Sequence, residues 1–176
     1  MRRSLLQQDM TSATERLRHE IVELLPRLRR FGRVLARHRE DADDLVQLAL
    51  ERALTRADQW QPGTRLDSWL FRIMQNAWID ELRSRQRHDA LFAPEEEGEH
   101  VGVSPTEAHI EALALRKAMA GLSDDHRAVI GLVLVEGQSY QEAAEVLGVP
   151  IGTLTSRLAR AREALQAALG GPGDPP

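Results

Sequence analysis

The sequence contains no cysteine among its 176 residues. This absence excludes disulfides, thiolate metal sites and thiol redox sensing within the chain, and it fits a reducing compartment. The six histidines are scattered without the spacing of a metal site, so we predict no metal or other cofactor. Apolar runs long enough to span a membrane and a signal-peptide core are also missing. We therefore expect a soluble, cytoplasmic protein.

Aromatic residues are scarce as well, with three Trp, three Phe and one Tyr. Runs of β-branched residues are few, whereas Leu, Ala, Arg and Glu dominate, which favours helices over a sheet. The length suits one medium domain or two small ones. We predict an all-α fold of two small helical domains, because small helical cores need only local contacts. A nucleophile–base pair and a phosphate-binding loop are not visible, so we do not expect an enzyme.

Basic charge comes almost only from arginine, since Lys117 is the single lysine. The net charge of −4 at first opposes nucleic-acid binding. However, residues 89–111 hold seven acidic side chains and no Lys or Arg, so the rest of the chain carries +3. Residues 1–40 alone carry ten Arg against five acids. The distribution of charge along the chain matters more than the net charge in steering a protein toward DNA.

The first half of the sequence predicts three helices. Ser12 and Glu15 form a capping-box pattern that opens the first helix, after a mobile segment over residues 1–12. The apolar residues of this helix extend to Leu35, and Pro26 indicates either a kink or its true start. Four of its arginines either track DNA or form a solvated face, which we favour: Arg27, Arg29, Arg30 and Arg33.

The second helix is predicted to be capped by Asp41, with Asp43 in its first turn. Its core-facing stripe is Val46, Ala49, Leu50, Ala53 and Leu54. A loop with Pro62-Gly63 then leads to a long helix from Arg65 to Arg87. The inner stripe of that helix is Leu66, Leu70, Ile73 and Ala77, and another face carries Arg72, Asn76, Asp80, Arg83 and Arg87.

The second half begins after an acidic, flexible linker over residues 89–104. This linker separates a domain over residues 13–88 from one over residues 105–169, and residues 170–176 form a disordered tail. Order restarts with an N-terminal capping pattern at Ser104 and Glu107, and a further helix opens at Ser123 and stops at Gly137.

Residues 139–163 predict a helix-turn-helix. Ser139 and Glu142 form a capping box, and Gly148 ends that short helix before the next one starts. The last helix should bury Ile151, Leu154, Leu158, Ala161 and Leu165. Its opposite face carries a row suited to guanine edges and phosphates in a major groove, namely Thr153, Ser156, Arg157 and Arg160. An ordinary helical hairpin with a solvated basic face is the alternative.

This second half resembles region 4 of extracytoplasmic-function (ECF) sigma factors. The resemblance lies in the segments LSDDHRAVI (residues 122–130), EGQSYQEAA (136–144) and LGVPIGTLTSRLARAR (147–162). In that family the module reads the minus-thirty-five promoter element, which implies DNA contacts for Thr153, Ser156, Arg157 and Arg160. Thr155 departs from the family, which usually has Lys or Arg there.

The first half resembles sigma region 2. The segments LPRLRR (residues 25–30), DADDLVQ (41–47), SWLFRI (68–73) and IDELR (79–83) carry this resemblance, together with Asn76. In the family, the helix with DDLVQ docks on the clamp coiled coil of the largest RNA polymerase subunit. The implied docking residues are Asp44, Gln47, Leu48 and Glu51, and the alternative is a solvated helix face.

The resemblance also implies contacts to the minus-ten element. The family holds a flipped base in the loop before the long helix, where Trp60, Gln61, Thr64 and Arg65 offer stacking and hydrogen bonds. Core closure by Trp60 is an equal alternative. Trp69 is expected in the core, and Trp78 is ambiguous. On the long helix the implied contacts are Arg72, Asn76, Arg83 and Arg87, with Asn76 on a base edge and the arginines on phosphates.

The resemblance implies an alternative sigma factor that binds core RNA polymerase and promoter DNA, is controlled by an anti-sigma factor, and joins the nucleoid within the holoenzyme. The acidic linker then either passes near the active-site channel or serves as a tether. Two other interpretations stay open. One is a stand-alone regulator that binds DNA without polymerase, and the other is a sigma-like decoy that sequesters an anti-sigma protein.

Overall fold

The computed structural model describes residues 2–89 and 107–170. Over these two ranges the chain forms seven α-helices and no strand. The predicted all-α class is therefore confirmed. Most of the predicted linker, the capping pattern at Ser104 and the predicted tail beyond Gly170 lie outside the described residues.

The first helix, α1 (Arg2–Leu35), begins at Arg2, so the predicted start at Ser12 is wrong. The preceding residues are mostly good helix formers without Gly or Pro, and their propensity outweighs the capping pattern. Pro26 lies inside α1 and is not its start. The buried residues of α1 recur at helical spacing along one face: Leu17, Ile21, Leu28, Phe31 and Leu35.

The second helix, α2 (Arg39–Thr55), has His38 as its N-cap residue, so the predicted capping role of Asp41 is wrong. The Asp41 carboxylate instead accepts two hydrogen bonds from Arg85, at 2.7 and 2.8 Å. These hydrogen bonds lower the pKa of Asp41. In the core-facing stripe of α2, Val46, Ala49 and Ala53 are buried as predicted. Leu54 is exposed, because it lies at the edge of the stripe near the end of the helix.

The third helix, α3 (Leu66–Asp89), follows a 3₁₀ turn at Ala57–Gln59. Its four predicted inner residues are all buried. Together, α1, α2 and α3 form the N-terminal unit. Phe31 of α1 and Phe71 of α3 meet edge to face in its core, with ring centroids 5.0 Å apart.

The C-terminal unit contains α4 (Glu107–Ala120), α5 (Asp124–Ile130), α6 (Tyr140–Leu147) and α7 (Ile151–Ala168). Ser123 caps α5 by accepting a hydrogen bond from the amide of His126, as predicted. A π-helical segment, Gly131–Val135, continues α5 toward the turn at Gly137. Buried residues of α5, α6 and α7 form the core of this unit.

The two units pack against each other through one continuous hydrophobic cluster, which runs from Leu17 in α1 to Ala161 in α7. At the crossing, α1 lies against α5 and the π-helical segment, and α3 lies against α6. A Cβ atom at Gly131 would stand 2.9 Å from the Phe31 ring and from Val34. Because glycine lacks that atom, the backbone of the C-terminal unit can approach α1 this closely.

Replacing Leu70 by alanine should lower the free energy of unfolding by about 2–5 kcal/mol, because it empties a fully buried position in α3. Val22→Ala on α1, where the side chain is 60 % exposed, is the control and should change stability by less than about 0.5 kcal/mol. Urea titrations followed by circular dichroism measure both values. Similar losses in the two variants would contradict the placement of Leu70 in the core.

Candidate nucleic-acid interface

The helix-turn-helix is built by local interactions that the sequence predicts. Ser139 Oγ accepts from the amide of Glu142 at 3.2 Å, and the Glu142 carboxylate accepts from the amide of Ser139 at 2.8 Å. Hydrogen bonding by Ser139, first through its backbone amide, lowers the pKa of the Glu142 carboxylate. Gly148 ends α6 in the left-handed conformation, with φ of 64°, which glycine adopts without steric cost. The capping box and the glycine turn together set the angle at which α7 leaves α6.

The outer face of α7 presents the predicted DNA-reading row. Arg160 and Ser156 are exposed, and Thr153 is half-buried. Arg157 donates to Asp125 of α5 at 2.7 Å, so its guanidinium is held in place beside the row. Thr155 Oγ donates to the carbonyl of Ile151, which turns this hydroxyl back onto the helix.

The inner face of α7 buries Leu154, Leu158 and Ala161, as predicted. Leu165 is half-buried against the same core. The prediction for Ile151 is wrong, since this residue is 49 % exposed. A helical side chain leans toward the N-terminus of its helix and packs over the preceding turn. Ile151 is the first residue of α7, so it has no preceding turn to pack against and remains exposed.

The predicted polymerase-docking residues lie together on the outer face of α2. Asp44, Gln47 and Glu51 are exposed, and Leu48 between them is 36 % exposed. The Gln47 side-chain amide donates to the Glu51 carboxylate at 3.1 Å. The face therefore combines carboxylate acceptors with one apolar side chain, a suitable chemistry for a basic partner helix.

The loop before α3 brings together the predicted base-capturing residues. Gln61 and Thr64 are exposed, and Thr64 Oγ donates to the carbonyl of Gln61 at 2.7 Å, which closes the loop at Gly63. Trp60 is half-buried against the hydrophobic cluster, and its indole N–H has no acceptor among the described residues. Part of the Trp60 ring thus packs against the core, while its buried indole N–H makes no hydrogen bond with another described residue.

The outer face of α3 carries the other predicted minus-ten residues. Arg72, Asn76, Arg83 and Arg87 are all exposed. Asp80, from the same face, accepts from Arg52 of α2 at 3.1 Å. Trp69 is half-buried, and Trp78, which was ambiguous, is buried beside the guanidinium of Arg85. The exposed row is therefore polar and basic, as phosphate and base contacts require.

Arg65, the remaining minus-ten candidate, is engaged within the protein. It donates two hydrogen bonds to Asp67, and its guanidinium also pairs with Glu142 of α6. These hydrogen bonds raise the pKa of Arg65. In this arrangement a predicted DNA-contacting side chain of the N-terminal unit is bound to the C-terminal unit.

Arg27 and Arg30 depart from the favoured solvated face. Both donate to the carboxylate of Glu136, which follows the π-helical segment, at distances of 2.9–3.0 Å. Arg27 also donates to the Glu136 carbonyl and to Asp67. The expectation of solvation is wrong for Arg27, which the C-terminal unit half covers, whereas Arg30 stays exposed while it pairs with Glu136.

Asp67 lies at the centre of a second polar cluster between the units. It accepts from Arg27, Arg65 and the Gln138 side-chain amide, at 2.7–3.0 Å. Burial opposes its ionisation, but the hydrogen bonds from Arg65, Arg27 and the Ser68 amide outweigh burial and hold the pKa of Asp67 well below its usual range. The carboxylate is therefore charged at neutral pH.

Arg127 of α5 is a further buried charge that the pattern of the sequence did not reveal. It donates to the carbonyls of Leu35 in α1 and Leu122, at 3.2 and 2.8 Å, and pairs with Asp124. Burial lowers the pKa of its guanidinium. In the sequence, Arg127 is a charged residue beside apolar ones. This pattern is too common to predict that Arg127 is buried or to identify its hydrogen-bond partners.

Comparisons with known proteins agree with this geometry. Residues 21–75 match the family model described as the Sigma2 domain of PhyR, and residues 112–165 match the model described as Sigma-70, region 4. The ECF RNA polymerase sigma factor EcfG of Rhodopseudomonas palustris is 37 % identical over 160 residues, with 89 % of this chain and 86 % of that protein covered. The chain belongs to the ECF RNA polymerase sigma factor family.

Other relatives extend the match. The ECF sigma factor SigM of Mycobacterium tuberculosis is 38 % identical over 144 residues, with 81 % of this chain and 71 % of that protein covered. Among solved structures, the sigma factor RpoE in complex with the anti-sigma factor NepR from Bartonella quintana has a TM-score of 0.73 and 33 % identity, with 90 % of this chain and 98 % of that chain covered. CnrH in complex with the cytosolic domain of CnrY has a TM-score of 0.68 and 25 % identity, with coverages of 93 % and 96 %.

Membership of this sigma factor family makes the chain a transcription initiation factor and not an enzyme. The two matched ranges fall one in each unit, residues 21–75 within α1–α3 and residues 112–165 within α4–α7. Within residues 2–89 and 107–170, none of the helices has the length and hydropathy needed to cross a membrane. Nor does this part of the chain hold a group of three His, Asp or Glu side chains suited to a metal ion.

Ser139→Ala should cost about 0.5–2 kcal/mol of stability in the C-terminal unit, because it leaves an amide at the start of α6 without its capping acceptor. Hydrogen exchange of the α6 amides measures this loss locally. Ser84→Ala, an exposed position in α3, is the control and should leave those amides unchanged. Equal protection of α6 in both variants would show that the capping box does not stabilise the helix.

Proposed function

We propose that this sigma factor binds core RNA polymerase through α2, recognises the minus-ten and minus-thirty-five promoter elements through α3 and α7, and is controlled by an anti-sigma factor. The observation that carries the proposal is the presence in one chain of a capped helix-turn-helix with an exposed row on α7 and a separate acidic face on α2. Each surface has the chemistry of its partner, arginine for DNA and carboxylate for a basic helix.

The C-terminal unit supports recognition of the minus-thirty-five element. In helix-turn-helix proteins the second helix enters the major groove and its outer side chains reach base edges. On α7 the row of Thr153, Ser156, Arg157 and Arg160 lies opposite the buried residues, so a groove can receive it without disturbing the core. Arg157, held by Asp125, is oriented before DNA arrives.

The N-terminal unit supports recognition and opening of the minus-ten element. Asn76 can pair with a base edge, while Arg72, Arg83 and Arg87 are placed along the same exposed face to hold phosphates. The loop with Trp60, Gln61 and Thr64 stands beside the start of α3, where a base that leaves the stack would need a partner. Trp60 is half-buried, so the exposed part of its ring offers a stacking surface for such a base.

Control by an anti-sigma factor is supported by the solved relatives. In one, the sigma factor RpoE is bound by the anti-sigma factor NepR, and in the other, CnrH, itself named a sigma factor, is bound by the cytosolic domain of CnrY. Each match covers nearly all of this chain. A sigma factor works in the cytoplasm, and within the holoenzyme we place this protein on the nucleoid.

A sigma-like decoy is the second candidate, because the model that matches residues 21–75 describes a domain of PhyR. A complex of the anti-anti-sigma factor PhyR with NepR also has this fold, at 18 % identity and a TM-score of 0.56. A decoy would bind an anti-sigma factor and support no transcript. Run-off transcription with core polymerase, on promoters found by mapping the transcripts induced by overproduction, separates the two functions.

Arg160→Ala should weaken binding of the holoenzyme to the minus-thirty-five element by about 5- to 150-fold, the loss of ~1–3 kcal/mol expected for one arginine contact. Run-off transcription from a promoter that depends on this element should fall in parallel. Arg162→Ala is the matched control, since it removes the same charge from an exposed position on another face of α7. Equal losses in the two variants would point to general charge attraction and would contradict specific recognition.

Asp44→Ala should reduce co-elution of the protein with core RNA polymerase, because it removes an exposed acceptor from the α2 docking face. A loss of about tenfold in affinity corresponds to ~1.4 kcal/mol. Asp43→Ala, which removes the neighbouring exposed carboxylate, is the control and should bind almost as well as wild type. If wild type bound promoter DNA but failed to co-elute with polymerase, a stand-alone regulator would replace the sigma assignment.

A further inference from the structure

Arg157 differs from the other arginine in the DNA-reading row of α7. Its side chain is only 28 % exposed, and its Nη2 atom lies 2.7 Å from Oδ2 of Asp125 in α5, which makes an ion pair. Arg160, three residues further along, is exposed and forms no ion pair within residues 2–89 and 107–170. One arginine of the row is therefore held by the protein itself, and the other is not.

The place of Asp125 is defined by the packing of α5 against α7. Leu154 and Leu158, which lie on either side of Arg157 along the helix, are buried on the inner face of α7. Asp125 belongs to the first turn of α5, two residues after the N-cap residue Ser123. Because the core fixes both helices, the Asp125 carboxylate lies at a defined place beside the row.

The neighbouring acid, Asp124, makes a different contact. It pairs with Arg127, whose buried guanidinium also donates to the carbonyls of Leu35 and Leu122. Asp125 forms none of these contacts, and its own side chain is 58 % exposed. The pair with Arg157 is therefore not needed to satisfy a buried charge, and an ion pair this exposed adds little to stability. Its effect is expected in the orientation of the guanidinium instead.

Orientation matters because of the way in which arginine reads a base. The guanidinium is planar, and it recognises guanine by placing a pair of its N–H donors on O6 and N7. In Arg157, Nη2 is paired with Asp125, while Nε and Nη1 make no hydrogen bond with another described residue. An unrestrained arginine can pair with any nearby phosphate, which adds affinity without sequence preference. Restraint of Arg157 therefore favours one base over the many phosphates that a mobile side chain could reach.

The charge of Asp125 acts on DNA in the opposite direction. Its carboxylate is exposed beside the predicted DNA-reading row, and like charges placed across an interface oppose association. Asp125 should thus weaken the attraction to every sequence while it orients the arginine that selects among sequences. A residue with a merely structural role would not separate affinity from selectivity in this way.

We propose that Asp125 is a positioning residue that sets the sequence preference of α7, because it orients Arg157 toward one base of the minus-thirty-five element. The inference rests on the proposed function, in which the row on α7 reads that element. It adds a specificity-determining residue that lies on α5, outside the helix-turn-helix itself.

Base preference measured with the holoenzyme tests the role of Asp125. The full chain is combined with core RNA polymerase, and binding is measured on promoter DNA in which each position of the minus-thirty-five element carries each of the four bases in turn. Asp125→Ala should lower the preference at one position by about two- to fivefold, the range for an ion pair this exposed. Binding to DNA without a promoter should not weaken, because a negative charge has been removed.

Glu163→Ala is the matched control. Glu163 lies three residues after Arg160 on the same helix, is exposed and pairs with no described residue, so its removal changes the charge near the row by the same amount. It should strengthen binding to all sequences slightly and leave the base preference as in wild type. Asp125→Glu, which keeps a carboxylate on α5, should retain most of the preference.

A double-mutant cycle shows whether Asp125 acts through Arg157. Arg157→Ala should lower the preference at the same position, and adding Asp125→Ala to it should change that preference no further. An unchanged preference in Asp125→Ala, or a uniform loss of binding to every sequence, would overturn the positioning role. If Arg157→Ala itself kept the wild-type preference, the assignment of this row to the minus-thirty-five element would fail, and the role of Asp125 with it.

Discussion

The buried carboxylate of Glu136 is the constraint on which the arrangement of the two units depends. A charge without hydration needs opposite charges and hydrogen bonds in fixed positions, and Arg27 and Arg30 supply them from consecutive turns of α1. Such a pair contributes less to net stability than to the choice of one arrangement, because its desolvation offsets much of its attraction. The pair thus defines where the C-terminal unit sits on α1. Gly131 lets the backbones approach closely enough for the hydrophobic cluster to continue across the boundary.

This contact also separates the surfaces of the molecule by their accessibility. The acidic face of α2 and the row on α7 lie away from the junction, whereas the start of α3 and the capping end of α6 lie within it. Arg65 is part of the predicted minus-ten surface and also of the junction, because it pairs with Glu142.

Features encoded over a few residues were predictable from the sequence. The capping box at Ser139, the glycine turn at Gly148 and the inner stripe of α3 all depend on neighbours within one or two helical turns. The same locality explains the wrong predictions. Ser12 has the pattern of a cap but lies within a longer helix, and Asp41 has the chemistry of a cap but pairs with Arg85, which is distant in sequence. A capping residue can be recognised from its neighbours in the sequence. A distant residue that binds the same side chain cannot be recognised in that way.

The sequence by itself determined the helices, the helix-turn-helix and, through its resemblance, the sigma factor family with its exposed candidate surfaces. Only the tertiary structure decided which charges leave water. Arg27 and Arg160 look alike in the sequence as arginines on helix faces, yet one meets Glu136 across 109 positions of chain and the other remains exposed. The reason is physical, because a helical pattern defines which side chains share a face but not which other face will cover it. That choice belongs to the packing of the two units, where shape at Gly131 and charge at Glu136 act together.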